Sequence, residues 1–333
     1  HAAKLSAEEL HDPAEAPVPP FQPNTPEVRR DWANYYDNIT SLDHWIAQHL
    51  TTLKEAGLAD NTIVFFYSDH GAGMPMCKKW LWDWGLRVPL IVRFPERYQH
   101  LAPSAPGTES DRLVSFIDFP PTLLSLLDVK VPSIMQGKAF LGKQAIAPRR
   151  YAFAIRDRMA EWFDTVRVVR DKRYQYHRNF MPHLSWAPFC SYTLTMPTAQ
   201  VWTRLHEEGK LSEIQDRYFH AKPTEELYDL KADPHMISNL IDDPQHADAL
   251  GSLRRELRDW QLRTRDLGLL SEYEMHRRAA ESTQYAVGQN DEQYPLRQIL
   301  AVAELAGERD SANIAQLIDL LDDTEPAVRW WAT

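Results

Sequence analysis

The sequence predicts an α/β fold, followed by a small antiparallel subdomain and an α-helical tail. Three observations predict it. An amphipathic helix pattern over 29–56 runs into a short, wholly apolar β-branched and aromatic stretch at 63–67. Short β-branched and aromatic runs recur at 165–170 and 174–177. From 295 onward, apolar residues return at three- and four-residue steps.

Residues 12–26 hold closely spaced prolines, which fix φ and remove donors, so this segment is extended and irregular. Thr25-Pro26-Glu27 is a helix start, with Thr as N-cap, Pro in the first turn and an early acid. Trp32, Tyr35, Tyr36, Ile39, Leu42, Ile46, Leu50 and Leu53 then form one face, closed by Gly57. Asp60-Asn61 turns the chain into 63–67, which reads as an interior parallel strand with the long helix packed on its sheet. A second apolar run, 88–94, follows, and 111–128 supplies a short helix starting near Pro120-Pro121. The runs at 165–170 and 174–177 suggest antiparallel strands. Glu225-Glu226 reads as solvated loop. Residues 245–267 return to helix, with Leu250, Leu253, Leu257, Trp260 and Leu262 on one side. The tail gives helices at 295–306 and 312–321, and Thr324-Glu325-Pro326 starts a third. The rhythm of paired helices resembles a HEAT-type repeat, which suggests a possible protein partner.

Bulk properties narrow the function. The chain has 333 residues, 44% hydrophobic and 25% charged, with a net charge of −10. That charge argues against nucleic acid as main partner, and no apolar stretch reaches the ~18 residues of a membrane span. Cys77 and Cys190 make neither a disulfide framework nor a zinc motif. The chain opens at His1 and ends within a helical pattern, so the expectation is a piece of something longer.

The chemistry gathers in "FFYSDHGAGMPMCKKW", residues 65–80. Sites in α/β sheets form past the carboxyl ends of strands. Asp69 offers hard carboxylate oxygens suited to a divalent cation, with the His70 imidazole beside it. Gly71 and Gly73 allow close backbone approach, and Lys78 offers a cation for an anionic group. The bland alternative is a turn leaving a strand with solvated lysines. Asp118 in "FIDFPP" reads as a cap or turn residue. Trp80, Trp82 and Trp84 fit either a sugar platform or a partly buried strand.

"LADNTIVFFYSDHG" resembles the second metal-binding signature of the formylglycine-dependent sulfatases, in the alkaline phosphatase superfamily. "KKWLWDWGLRVPLIVRFP", "LVSFIDFPPTLLSLLDV" and "EELYDLKADPHMISNLIDDP" are similar to later blocks of that family. "PVPPFQPNTPEVRRDWANYYDNI" and "RNFMPHL" resemble the sulfamidase, or heparan N-sulfatase, branch. The blocks run in family order from about 12 to 270.

The resemblance implies an alkaline-phosphatase-like sandwich. Residues 1–150 would be the C-terminal part of the catalytic α/β domain, with a mostly parallel sheet. Residues 151–275 would be the C-terminal subdomain, and 290–333 the start of a HEAT-like helical repeat. It implies Asp69 and His70 as ligands of one Ca²⁺, and Lys78 as the cation on the substrate sulfate. His1 would match a histidine on the leaving-group side, the alternative being a plain loop residue; Arg178 and His183 could reach a sugar from the C-terminal subdomain, the alternative being structural packing. The resemblance implies a sulfated saccharide as substrate, as a sulfate ester or a sulfamate, and favours a periplasmic or secreted location over a cytoplasmic one.

One departure stands out. The Cys/Ser-x-Pro-x-Arg pattern that yields formylglycine is not found in these residues, nor are the family's paired Asp-Asp ligands. Both are expected in an N-terminal half outside this chain, which leaves this fragment inactive alone. The rival readings are a phosphoesterase or phosphonate hydrolase of the same superfamily, and a non-catalytic scaffold that binds sulfated glycans.

Overall fold

A computed structural model describes residues 5–333. The chain forms two compact units: residues up to Ala152 with Thr193–Leu211, and Phe153–Tyr192 with Ser212–Thr333.

In the first unit, the predicted long helix is one unbroken element, Pro26–Glu55. Thr25 is extended and its side chain accepts from the Val28 amide at 3.4 Å, satisfying one of the donors a helix start leaves open. Pro26 occupies the first turn, and Gly57 follows the end at φ +70. Val28, Trp32, Ala33 and Ser41 are the buried residues of this helix. The helix packs on the helix Pro197–Glu207, where Asp31 accepts from the Thr198 amide at 2.8 Å and from its hydroxyl at 2.6 Å. The shared core contains Ala16, Val28, Trp32, Ala72, Met74, Cys77 and Val201. Its main partners are therefore this second helix and the loop after 71. Farther along, Ile39, Leu42, Trp45 and Leu50 are exposed.

The parallel-strand expectation is corrected. β1 (Val64–Tyr67) pairs antiparallel with β2 (Leu90–Arg93), from Val64 opposite Arg93 to Tyr67 opposite Leu90. Among the described residues these two strands form a sheet of their own, so β1 lies at an edge and is not interior. Tyr67 is 48% and Ile91 60% exposed. An apolar run asks for cover but carries no direction. Here the loop 68–89 brings the chain back beside β1, and an antiparallel pair needs no crossover helix. Beyond β2, Tyr67 meets Phe119 at a ring distance of 4.9 Å, on the short helix Phe119–Leu126. Asp118 is the turn residue expected: its carboxylate accepts from the Ser115 amide at 2.9 Å and the Lys138 amide at 2.8 Å, and pairs with Arg149.

In the second unit, a four-stranded sheet has the order β3 (Ala152–Arg156), β4 (Val166–Arg170), β5 (Tyr174–Asn179), β6 (Glu225–Asp229). β4–β5 and β5–β6 are antiparallel, as the runs at 165–170 and 174–177 predict. Glu225-Glu226 is not solvated loop; it begins β6. The glutamates tolerate this because each is paired. Glu225 accepts from Arg254 at 2.8 and 2.6 Å, and Glu226 accepts from Asn179 at 2.7 Å and Tyr228 at 2.5 Å. The helix Ala247–Thr264 lays Leu250, Leu253, Leu257 and Gln261 toward the interior, and Trp260 stacks on Phe153 at 4.7 Å. Beneath it, the fully buried Arg167 forks onto Asp266 at 2.7 and 3.0 Å and reaches Asp157 at 2.8 Å.

The tail forms the helices Leu296–Gly307, Ile314–Leu320 and Pro326–Ala332. It is not a unit of its own. Leu296, Ile299, Leu300, Val328 and Trp331 share one core with Phe180, Leu269 and Leu270. Trp331 donates to the Leu269 carbonyl at 2.8 Å, and Thr224 donates to the Gly307 carbonyl at 2.8 Å. A helix pair cannot bury both its faces alone, and here the subdomain supplies the missing cover. No helix among the described residues is long and apolar enough to cross a membrane.

Candidate active-site rim

β1 ends at Tyr67, and the next three residues turn sharply. The Ser68 hydroxyl donates to the His70 carbonyl at 2.7 Å. His70 Nδ1 lies 2.8 Å from the Gly71 carbonyl oxygen. A carbonyl only accepts, so we assign the ring proton to Nδ1, which leaves the Nε2 lone pair available in the neutral ring. Nε2 stands 3.4 Å from Oδ2 of Asp69, whose side chain is 83% exposed. Two donor atoms thus converge at the end of a strand.

The loop that follows is held from several sides. The Lys78 amide donates to the Ala72 carbonyl at 2.9 Å, and the Gly71 amide to the Gly85 carbonyl at 3.2 Å. A β-carbon on Gly71 would lie 1.8 Å from the Trp84 carbonyl oxygen, and one on Gly85 would lie 2.2 Å from that of Cys77. Gly71 therefore serves approach of the chain to itself, whereas Gly73 faces open space. Met76 and Lys79 adopt φ of +64 and +78, which side chains rarely tolerate. Such strain persists only where the surroundings impose it. Trp80 and Trp82 are buried, and Trp84 packs edge-on against Trp32 and Phe21, each at 5.8 Å. Gln22 of the proline-rich segment completes the lock, donating to the Pro75 carbonyl and accepting from the Trp32 indole, both at 2.8 Å. The tryptophans thus form core around the loop. Lys78 sits half-buried between Cys77 and Lys79. Burial pushes the Cys77 thiol well up, so it is held protonated.

Asp69, His70 and Lys78 thus share one strand end and its loop in the first unit. His1 lies outside the described residues. Arg178 and His183 belong to the second unit. Arg178 donates to the Glu304 carbonyl at 2.7 Å and lies 3.8 Å from Glu225, a structural position tying β5 to the tail. His183 is at the surface, where partial desolvation, then the charges of Arg309 and Lys222, lower its pKa. No group of three or more His, Cys, Asp or Glu suited to a metal occurs among the described residues. A Ca²⁺ shell takes about 6–8 oxygens; the exposed Asp69 carboxylate offers oxygens for part of one, while His70 brings a nitrogen beside it.

Sequence reasoning missed a polar cluster on one face of β5 and β6. His177 is opposite Glu226, and Asn179 and Tyr228 both donate to Glu226. Burial holds the Glu226 carboxyl above its ordinary pKa and pushes His177 down to about 3. Lys222 beside them donates to the buried Asp164 at 2.7 Å. The signal was present in the period-two polar residues Gln175, His177 and Asn179, all fully buried.

In the first unit, then, a strand-end carboxylate and imidazole are followed by a locked loop that carries Lys78. Residues 6–129 match the family model described as Sulfatase. An ulvan-active sulfatase of Formosa agariphila is 40% identical over 259 residues, covering 78% of this chain and 42% of that protein. The human N-sulphoglucosamine sulphohydrolase is 30% identical over 272 residues, covering 78% and 53%. The solved structure of yidJ from Bacteroides fragilis matches at TM-score 0.50 and 22% identity, over 73% of this chain and 44% of that one, and supports the α/β fold. Residues 6–129 thus carry a sulfatase-family segment, and most of this chain aligns with these two sulfatases. It spans about half the length of these curated relatives.

Proposed function

We propose that the protein to which this chain belongs hydrolyses sulfate esters or N-sulfates of a sulfated saccharide, and that this chain supplies part of its active site. The observation that carries the reading is the Asp69–His70 pair at the strand end with Lys78 in the locked loop, inside the segment that matches the sulfatases. The relatives' names point to sulfated polysaccharide and N-sulfated glucosamine as the substrate class.

When bound, Ca²⁺ would supply charge neutralisation at the sulfate, and a formylglycine would supply the nucleophile from a residue outside these 333. Asp69 and the Nε2 lone pair of His70 would hold the metal side of the site. The Nδ1–H bond to the Gly71 carbonyl fixes the imidazole orientation. Lys78 would bring a point charge to the sulfate oxygens, where charge builds as the S–O or S–N bond breaks. The helical tail, placed within the second unit, remains a candidate HEAT-like platform for a protein partner.

The test is release of inorganic sulfate by the full-length protein from N-sulfoglucosamine and from sulfated polysaccharide fragments, with phosphate and phosphonate esters as controls. Sulfate release that falls on chelation and returns with Ca²⁺ is the expected result. Turnover of the phosphorus esters alone would replace this reading with the phosphoesterase one.

A further inference from the structure

The second unit holds a cleft of about 330 Å³ whose walls come from that unit alone. Its floor is the buried pair Glu226 and Tyr228. The buried indole of Trp186 lines it, with the Lys222 ammonium 5.3 Å from the ring centroid. Glu213, Asp216 and His220 stand around it. The volume suits a single sugar ring.

The lining is rich in acceptors. Glu226 takes hydrogen bonds from Asn179 and Tyr228, while a carboxylate has about four lone-pair sites. Glu213 and Asp216 add two more carboxylates. The positive groups of the cleft are directed at the protein itself: Arg217 donates to the carbonyls of Met236 and Ile237 at 2.7 and 3.0 Å, and His220 meets Asp216 at 2.6 Å. A sulfate offers acceptors only, so it would find like charge here. A ring bearing hydroxyl groups brings donors for the remaining lone-pair sites of Glu226, and its C–H face suits an indole.

We propose that this cleft is a carbohydrate-binding site for an unsulfated pyranose, with hydroxyl donors on Glu226 and the ring against Trp186. The site needs no catalytic step, so it stands or falls separately from the sulfatase reading.

Saturation-transfer NMR on the full chain, with glucose, glucosamine and glucosamine 6-sulfate as probes, tests it. Glucose and glucosamine should receive saturation and the 6-sulfate should bind at least ~10-fold more weakly, the loss expected from like charge in a desolvated cleft. Trp186→Leu should weaken glucose binding by at least ~5-fold. Should that variant not fold, a nitroxide on Ser238→Cys decides the location. Ser238 is exposed and adjoins Asn239 of the cleft, so the label should broaden the resonances of bound glucose. Absence of saturation transfer, equal or tighter binding of the 6-sulfate, or unbroadened glucose resonances would each overturn the proposal.

Discussion

His70 Nε2 stands 3.4 Å from Asp69 Oδ2 while its Nδ1 is tied to the Gly71 carbonyl, so the imidazole presents one nitrogen beside an exposed carboxylate. This pairing makes a prediction that separates ligation from folding. In the full-length protein, Asp69→Asn should weaken Ca²⁺ binding by at least ~10-fold. The same change should leave the Tm in chelator within about a degree, because an exposed carboxylate contributes little packing. Calcium titration followed by thermal melting measures both. Unchanged affinity would remove Asp69 from the metal side of the site.

The loop glycines give a second prediction. Gly85→Ala must displace main-chain oxygens of Cys77 and Trp80, 2.2 and 2.3 Å from the new carbon, and Gly71→Ala collides with Trp84. Each should cost about 1–3 kcal/mol or more in urea unfolding. Gly73→Ala, with nothing within 4 Å, should stay within about 0.5 kcal/mol. Equal costs at all three positions would contradict the described loop packing.

His177 gives a pH dependence with a definite sign. Burial, then the nearby Arg217 charge, lower its pKa from 6.5 to about 3. Between those values the unfolded chain takes up a proton that the folded chain refuses, so stability falls as pH drops from 6.5 toward 3. At pH 5 the loss from this one group is roughly 2 kcal/mol. His177→Gln should therefore show a shallower fall between pH 7 and pH 5 in urea titrations. An unchanged slope would mean that His177 ionises in the folded state.

The buried fork of Arg167 predicts asymmetric costs. Arg167→Ala leaves Asp266 and Asp157 facing one another without their cation and should cost about 3–5 kcal/mol. For Asp266, burial raises the pKa, but Arg167 together with the hydrogen bonds from Gln261 and the Gly268 amide reverses it, so the net shift is downward. Its share of stability is therefore present above the ordinary aspartate pKa and is lost as pH falls through the lower folded value. Urea unfolding of the variant against pH reads both effects.

What could be read from sequence was what is local. The Thr25-Pro26 cap, the long helix it opens and the strand runs of β4 and β5 depend on neighbours within a few residues. Asp69, His70 and Lys78 stand out because apolar cores seldom end in such groups. The direction of β1 did not show, since an apolar run demands cover without naming its partner. Glu225 and Glu226 looked solvated because their partners lie far off in sequence, at Arg254, Asn179 and Tyr176. The tail looked independent for the same reason: its amphipathic pattern is local, while Phe180 and Leu269, which cover it, are not.

The most direct test of the account compares two adjacent lysines in the full-length protein. Lys78 lies nine residues beyond Asp69 and eleven before Pro89, the spacing on which its place at the sulfate rests. Lys79 is its neighbour, at φ +78. The measurement is kcat/KM for sulfate release by Lys78→Ala and by Lys79→Ala. The account predicts a loss of at least ~10²-fold for Lys78→Ala, as when one charge stabiliser of a transition state is removed, and a much smaller loss for Lys79→Ala. Equal losses, or a larger one at Lys79, would contradict it.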